Sequence, residues 1–274
     1  MRRAVLGALW VGVGCAKPTP SAGPAEAAAP STSVPVRRVP AGTYEVGCTA
    51  GQRGCLGSER PSHTVTLTRS VWVMETEVTQ GLWQSVMGSN PAQFSGCGAE
   101  CPVENVSWVD ATRFANALSA RDGLEACYAG SGAEVSWPKG VACTGWRLPT
   151  EAEWEVAARG GADTLYAGGG ELAAVGWTGQ TSGRVTHPVK QKAANGYGLY
   201  DMSGNVWEWV WDGHAPYSSG AQVDPVGPPS AAERAFRGGS WMDVAAYARV
   251  SFRGSRAPTA HLGNLGLRLV LTAP

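Results

Sequence analysis

Asp201 and Glu208 place two carboxylates around a tight turn inside the stretch Gly198–Trp211, with backbone carbonyls at Gly204 and Val206 between them. Hard oxygens of this kind, drawn from side chains and carbonyls together, are a ligand set for calcium. Asp201, Ser203, Gly204 and Asn205 all tolerate tight backbone geometry. Beyond the turn Trp207, Trp209 and Trp211 recur at period two, so one face of a strand carries all three indoles. A plainer account has Asp201 capping the turn and the tryptophans filling a core, and spacing alone leaves both open. Other chemistry is harder to find. His63, His187, His214 and His261 are scattered without a close pair, so no two-histidine, one-carboxylate iron site is signalled. Gly168-Gly169-Gly170 lacks the strand–helix setting of a phosphate cradle, and neither a nucleophile elbow nor a metalloprotease helix is present.

The chain begins with an address. Arg2 and Arg3 precede the short apolar run Ala4–Val13, which ends in Gly14-Cys15. A basic start, a short apolar segment and small residues describe a secretory signal over residues 1–14. The cysteine placed directly after it is similar to the bacterial lipoprotein pattern, which implies lipidation of Cys15 and anchoring outside the cytoplasm, at the outer membrane. Residues 15–34 are dominated by Pro, Ala, Ser and Thr and read as a tether, with the folded domain over 35–274. Cys48, Cys55, Cys97, Cys101, Cys127 and Cys143 remain. In an exported chain they argue for disulfides, and their spacing suggests the local pairs 48–55, 97–101 and 127–143. Read as half a zinc site, Cys97 and Cys101 lack a second pair of ligands at suitable spacing.

Lys plus Arg and Asp plus Glu both number 22, so no global charge favours nucleic acid. Charged residues make up 16%, below the roughly one in four of an average domain, while glycine and tryptophan are abundant, which describes a loop-rich chain around an aromatic core. No run reaches the roughly 20 apolar residues of a membrane span. Val39–Gly47 reads as strand, turn and strand, and His63–Thr68 with Val71–Glu77 as a hairpin pair. Thr79 caps a helix to about Met87. Ser107 caps the next, whose stripe runs Ala111, Phe114, Ala115, Leu118 and which Gly123 ends. Thr150-Glu151-Ala152-Glu153 is a capping box for a third helix that stops at Gly160-Gly161.

A resemblance then emerges from several long motifs in a fixed order: Val39-Pro40-Ala41-Gly42, Glu77-Val78-Thr79, Pro102–Ala111, Arg147–Glu155, His187-Pro188-Val189, Gly198–Trp209, Arg237-Gly238-Gly239-Ser240-Trp241 and Asn264–Arg268. Through them the chain resembles the formylglycine-generating enzyme, or sulfatase-modifying factor, family over residues 35–272. The resemblance implies a single-domain, irregular, loop-rich α+β fold, a variant of the C-type-lectin type. It implies calcium at the opening turn, bound by Asp201 and Glu208 side chains and Gly204 and Val206 carbonyls. The family's second calcium region matches Ala173–His187, where Gly176–Gly183 offers no carboxylate.

Family chemistry depends on two cysteines that bind one Cu(I), activate oxygen and oxidise a substrate cysteine to formylglycine. Cu(I) is soft and favours thiolates. The two positions carry Asp243 and Ala248 here, and a hard carboxylate with a methyl group does not rebuild that site, so copper is not expected. Trp207, Ser240 and Tyr247 match cleft residues of the family. Arg249, Arg253 and Arg256 follow and offer guanidinium forks to a ligand, although arginines in loop-rich folds also serve buried carbonyls. The resulting expectation is a lipid-anchored, calcium-stabilised binding module for a peptide, glycan or partner protein. The alternative is a formylglycine-generating or other metal-dependent oxidase that uses Asp243 as a hard ligand.

Overall fold

Thr79, Ser107 and Thr150 each accept a hydrogen bond from the amide three residues on, at 3.1–3.2 Å, and each opens a helix. These are α1 (Gln80–Met87), α2 (Trp108–Arg121) and α3 (Glu151–Arg159), and a further short turn forms α4 (Leu172–Val175). Reciprocal capping boxes close at Ser107/Asp110 and Thr150/Glu153. Left-handed glycines follow at Gly88 and Gly160, as a helix end requires. The Ser107 cap ties α2 to the core, so Ser107→Ala is expected to cost about 1 kcal/mol. Chemical denaturation checks this, and an unchanged midpoint would show that the box adds nothing.

The computed structural model describes Met1, residues 30–228 and residues 230–273. Cys15, the expected signal segment after Met1 and most of the expected tether lie outside the described residues. The end of that tether is already docked. Ser33 accepts from Arg121 and Val34 packs on the main core cluster, so ordered structure begins slightly before residue 35.

Among the described residues ten strands build three sheets. In the first, β4 (Val71–Met74) lies between β1 (Val36–Val39) and β10 (Val270–Thr272), antiparallel to both. In the second, β3 (His63–Leu67) pairs antiparallel with β2 (Gly42–Val46) and parallel with β6 (Gln222–Val223). The third runs β8 (Gly254–Arg256), β7 (Arg234–Arg237), β5 (Trp207–Gly213), β9 (Leu265–Leu267). The alternation that suggests a hairpin over residues 63–77 is therefore misleading: β3 and β4 enter different sheets, as do β1 and β2. All four β4 residues are buried, and its two edges take strands from opposite ends of the chain.

Trp207, Trp209 and Trp211 do share one face and enter one cluster with Trp108, Phe114 and Trp146. Two of these indoles anchor to backbone: Trp209 Nε1 donates to the Val106 carbonyl at 3.0 Å and Trp108 Nε1 to that of Val210 at 2.9 Å. The cysteines form the local pairs Cys48–Cys55, Cys97–Cys101 and Cys127–Cys143. Bridges of this kind persist in oxidising compartments outside the cytoplasm. Among the described residues no helix is long and apolar enough to cross a membrane.

Candidate functional site

The turn that leads into β5 is held open by left-handed backbone at Asp201 (φ 59°), Gly204 (φ 104°) and Asn205 (φ 59°). Glycine is required at 204 twice over, because a Cβ there would also lie 2.2 Å from the Trp177 carbonyl. Asp201 is buried; its Oδ2 accepts from the Lys190 amide at 2.9 Å, whereas Oδ1 is buried without a partner. Glu208 is the more engaged of the two carboxylates. Arg268 donates to it from Nε at 3.1 Å and from Nη2 at 2.8 Å, and Trp154 Nε1 donates at 2.6 Å.

A third carboxylate, unforeseen in this role, faces the turn. Glu77 accepts from the Val206 amide at 3.0 Å and from Asn205 Nδ2 at 2.7 Å. Glu77, Asp201 and Glu208 thus face one buried guanidinium, Arg268, while the Lys190 ammonium is paired with Glu75. Burial pushes the Asp201 carboxyl up to about 6. Burial, with the charges of Asp201 and Glu208 adding, holds that of Glu77 well above the usual carboxylate range. The orphaned Asp201 Oδ1 is an open position for a hard cation, but among the described residues no three acidic, histidine or cysteine side chains converge to hold a metal, so backbone carbonyls would have to complete the shell, and Glu208 would have to share its oxygens between that cation and Arg268.

A second feature lies on the far side of Trp207. A cavity of about 460 Å³ opens between the turn 242–248, β7, β8 and the segment before β9, lined by Trp207, Phe236, Asp243, Tyr247, Phe252 and Arg256 among others. Its aromatic wall is continuous: ring centroids are 4.9 Å apart for Trp207–Phe236, 5.8 Å for Trp207–Phe252 and 4.5 Å for Tyr247–Phe252. Met242, Val244 and Tyr247 are exposed at 50%, 58% and 39% around this turn, an apolar rim left facing water. Asp243 accepts a hydrogen bond from Ser240 Oγ, which itself accepts from Asn264 Nδ2 at 3.1 Å. Burial raises the Asp243 carboxyl above its ordinary value, opposed by hydrogen bonds from Ser240 and Trp207. Among the described residues no cation pairs with it.

The chain's relatives bear on both features. The sulfatase-modifying factor enzyme 1-like domain matches residues 22–273. The chain belongs to the sulfatase-modifying factor family. It is 32% identical to the formylglycine-generating enzyme of Streptomyces coelicolor over 93% of this chain and 95% of that protein. It is also 32% identical to chaperone protein LppX of Paenibacillus barcinonensis, over 73% and 79% respectively. Among solved structures, Treponema denticola variable protein 1 superposes with a TM-score of 0.79 at 36% identity, covering 87% of this chain and 95% of that one.

Within this sulfatase-modifying factor fold the expected cleft residues part company. Trp207 and Tyr247 line the cavity with Asp243. Ser240 is fully buried and acts on the cleft through Asp243. Ala248 is buried in a small cluster with Tyr166 and Val175 and is not part of the wall. Its close fit explains Gly239 (φ 78°), since a Cβ there would meet Ala248 Cα at 2.8 Å. Arg249 is a correction: it is buried, its guanidinium pairs with Glu59, and it does not line the cleft. Arg253 borders the cleft but is spent on Glu151, with both contacts at 2.6 Å, and on the carbonyls of Ser58 and Ala215. Arg256 alone of the three is exposed.

The copper donor set does not fit. A carboxylate stands at 243 and a buried methyl at 248, and the six described cysteines are all bridged. In the segment matching the second calcium region, Trp177 stacks on His187 at 3.8 Å with Lys192 Nζ 3.9 Å above the indole. Phe236, Phe252 and Glu77 are site residues the sequence reading missed. Phe236 and Phe252 sit inside ordinary apolar patterning, and Glu77 was visible only as part of the motif Glu77-Val78-Thr79.

Proposed function

We propose that this protein is a binding module that keeps the sulfatase-modifying factor scaffold without its oxidase chemistry, held outside the cytoplasm by a lipid on Cys15 and stiffened by calcium at the turn 201–208. One observation carries the reading: Asp243 stands on the cleft wall where the family's first copper thiolate belongs, and no described cysteine is free to replace it. A carboxylate and a methyl group offer Cu(I) no soft ligand. The aromatic wall and apolar rim of the cleft suit recognition of a segment of a partner, since wedges of Trp, Tyr and Phe supply large contact area at low entropic cost. The similarity to a chaperone supports a protein as that partner. The lipoprotein-like start and the three disulfides support the extracytoplasmic placement.

Asp201 and Glu208 side chains, with the Gly204 and Val206 carbonyls, would hold the calcium; its chemistry is structural, a fixed double charge that neutralises the buried carboxylates. The test is an assay of the purified mature protein for copper content and for conversion of a peptide cysteine to the aldehyde. No stoichiometric copper and no turnover are expected, with peptide binding lost in Trp207→Ala. Turnover with bound metal would overturn the reading in favour of an oxidase with Asp243 as ligand.

A further inference from the structure

Asp243 is a half-buried carboxyl in an aromatic-walled cleft, and every nearby arginine but one is already committed. Arg249 pairs with Glu59, Arg253 with Glu151 and Arg237 with Glu155. Ser240 Oγ, braced by Asn264, and the Trp207 indole N–H both hydrogen-bond Asp243 and so fix the direction of the carboxyl, but neither brings a charge. A charge partly removed from water without a counter-charge is costly, and the cost is recovered when a ligand brings the cation. Trp207, Phe236, Tyr247 and Phe252 line the same cleft, and aromatic rings attract a cation by their quadrupoles.

From this geometry we propose that the cleft selects a lysine side chain of its partner, the alkyl stem lying against Tyr247 and Phe252 and the ammonium resting on the Asp243 carboxylate beside the Trp207 indole that already hydrogen-bonds it. This deepens, and rests on, the reading of the cleft as a binding site. Arg256, exposed at the rim with Nη1 on the Ser255 carbonyl, faces water and suits the backbone carbonyls that flank the lysine. Its own charge is screened over about 10 Å at 0.1 M salt.

The experiment uses the mature protein and two small probes, N-acetyl-lysine methylamide and N-acetyl-norleucine methylamide, the latter keeping the alkyl stem without the amine. Binding is followed on the Trp207 indole N–H resonance, assigned by its loss in Trp207→Phe. The lysine probe is expected to shift this resonance and the norleucine probe to leave it in place. Asp243→Asn should weaken the lysine probe about tenfold, the scale of losing a partly desolvated cation site. Tyr247→Ala, at an exposed position, provides a second variant that keeps the fold and should also weaken it. Equal response to both probes, no response to lysine, or unchanged affinity in Asp243→Asn would overturn the proposal. A peptide array separates the two levels. Binders without lysine that are lost in Trp207→Ala would sink the lysine inference and leave the binding module standing, whereas an array with no binder at all would remove both.

Discussion

Arg237→Ala is expected to destabilise the domain by about 3–5 kcal/mol, the usual cost of breaking a buried ion pair by removing one partner. Arg237 is fully buried in β7, its Nη2 bonded to Glu155 of α3, itself fully buried. The same guanidinium donates to the carbonyls of Ser251 at 2.9 Å and Val250 at 2.8 Å. It therefore joins α3 to the segment that carries Phe252, one wall of the cleft. Arg253 on Glu151 and Arg249 on Glu59 tie down the same segment from either side. Alanine removes one pillar and takes the guanidinium from the Val250 and Ser251 carbonyls and from Glu155 Oε2, while Arg159 still pairs with Glu155 Oε1 at 2.6 Å. At about 2–4 °C per kcal/mol for a domain of this size, the melting temperature should fall by roughly 6–20 °C, read by calorimetry. Arg237→Met with Glu155→Gln should recover much of this, because no ion is then stranded and Arg159 retains Asp163. A single variant as stable as the parent would show the network to be dispensable. Because Phe252 depends on it, peptide binding should fail in Arg237→Ala at temperatures where the fold survives.

Chelation should produce the second large effect. An ion bound only by the folded state stabilises it by mass action, about 2.7 kcal/mol when its free concentration is about 100 times the dissociation constant. Adding a calcium chelator is then expected to lower the melting temperature by about 5–10 °C. Asp201→Ala should abolish the difference between chelated and calcium-loaded protein. The carboxyl at 201 has a buried oxygen without a partner, so it is the member of the turn with most to gain from the ion. Glu208, with Arg268 and Trp154 on its oxygens, has less. Identical melting with and without chelator, together with no calcium in elemental analysis, would return the turn to a purely structural role.

Local features proved legible wherever the physics is local. A hydroxyl followed three residues later by an acid marks a helix start whatever surrounds it, and α2 and α3 begin where Ser107 and Thr150 say they should. Period two at Trp207, Trp209 and Trp211 placed all three indoles in one core. Cysteines separated by short, irregular loops paired with their neighbours. Strand partners were not legible. β3 and β4 alternate just as a hairpin would, but the connection between them passes from one sheet to another. β3 takes β2 and β6 while β4 takes β1 and β10, so the choice rests on strands from both ends of the chain, and alternation carries no record of it.

The candidate site divides along the same line. Residue types by themselves determined that no soft-metal pair stands at positions 243 and 248, because a carboxylate and a methyl group cannot become thiolates in any fold. They also determined the family, through long motifs rich in Gly and Trp. Only the tertiary structure decided which polar groups are free to act. Arg249, Arg253 and Asp243 lie close together in the chain, yet folding pairs both arginines with acids from distant segments and leaves the carboxyl of Asp243 without a cation. Charge is a property of the residue, but its availability depends on what the rest of the chain brings within a few ångströms, and that is set by packing.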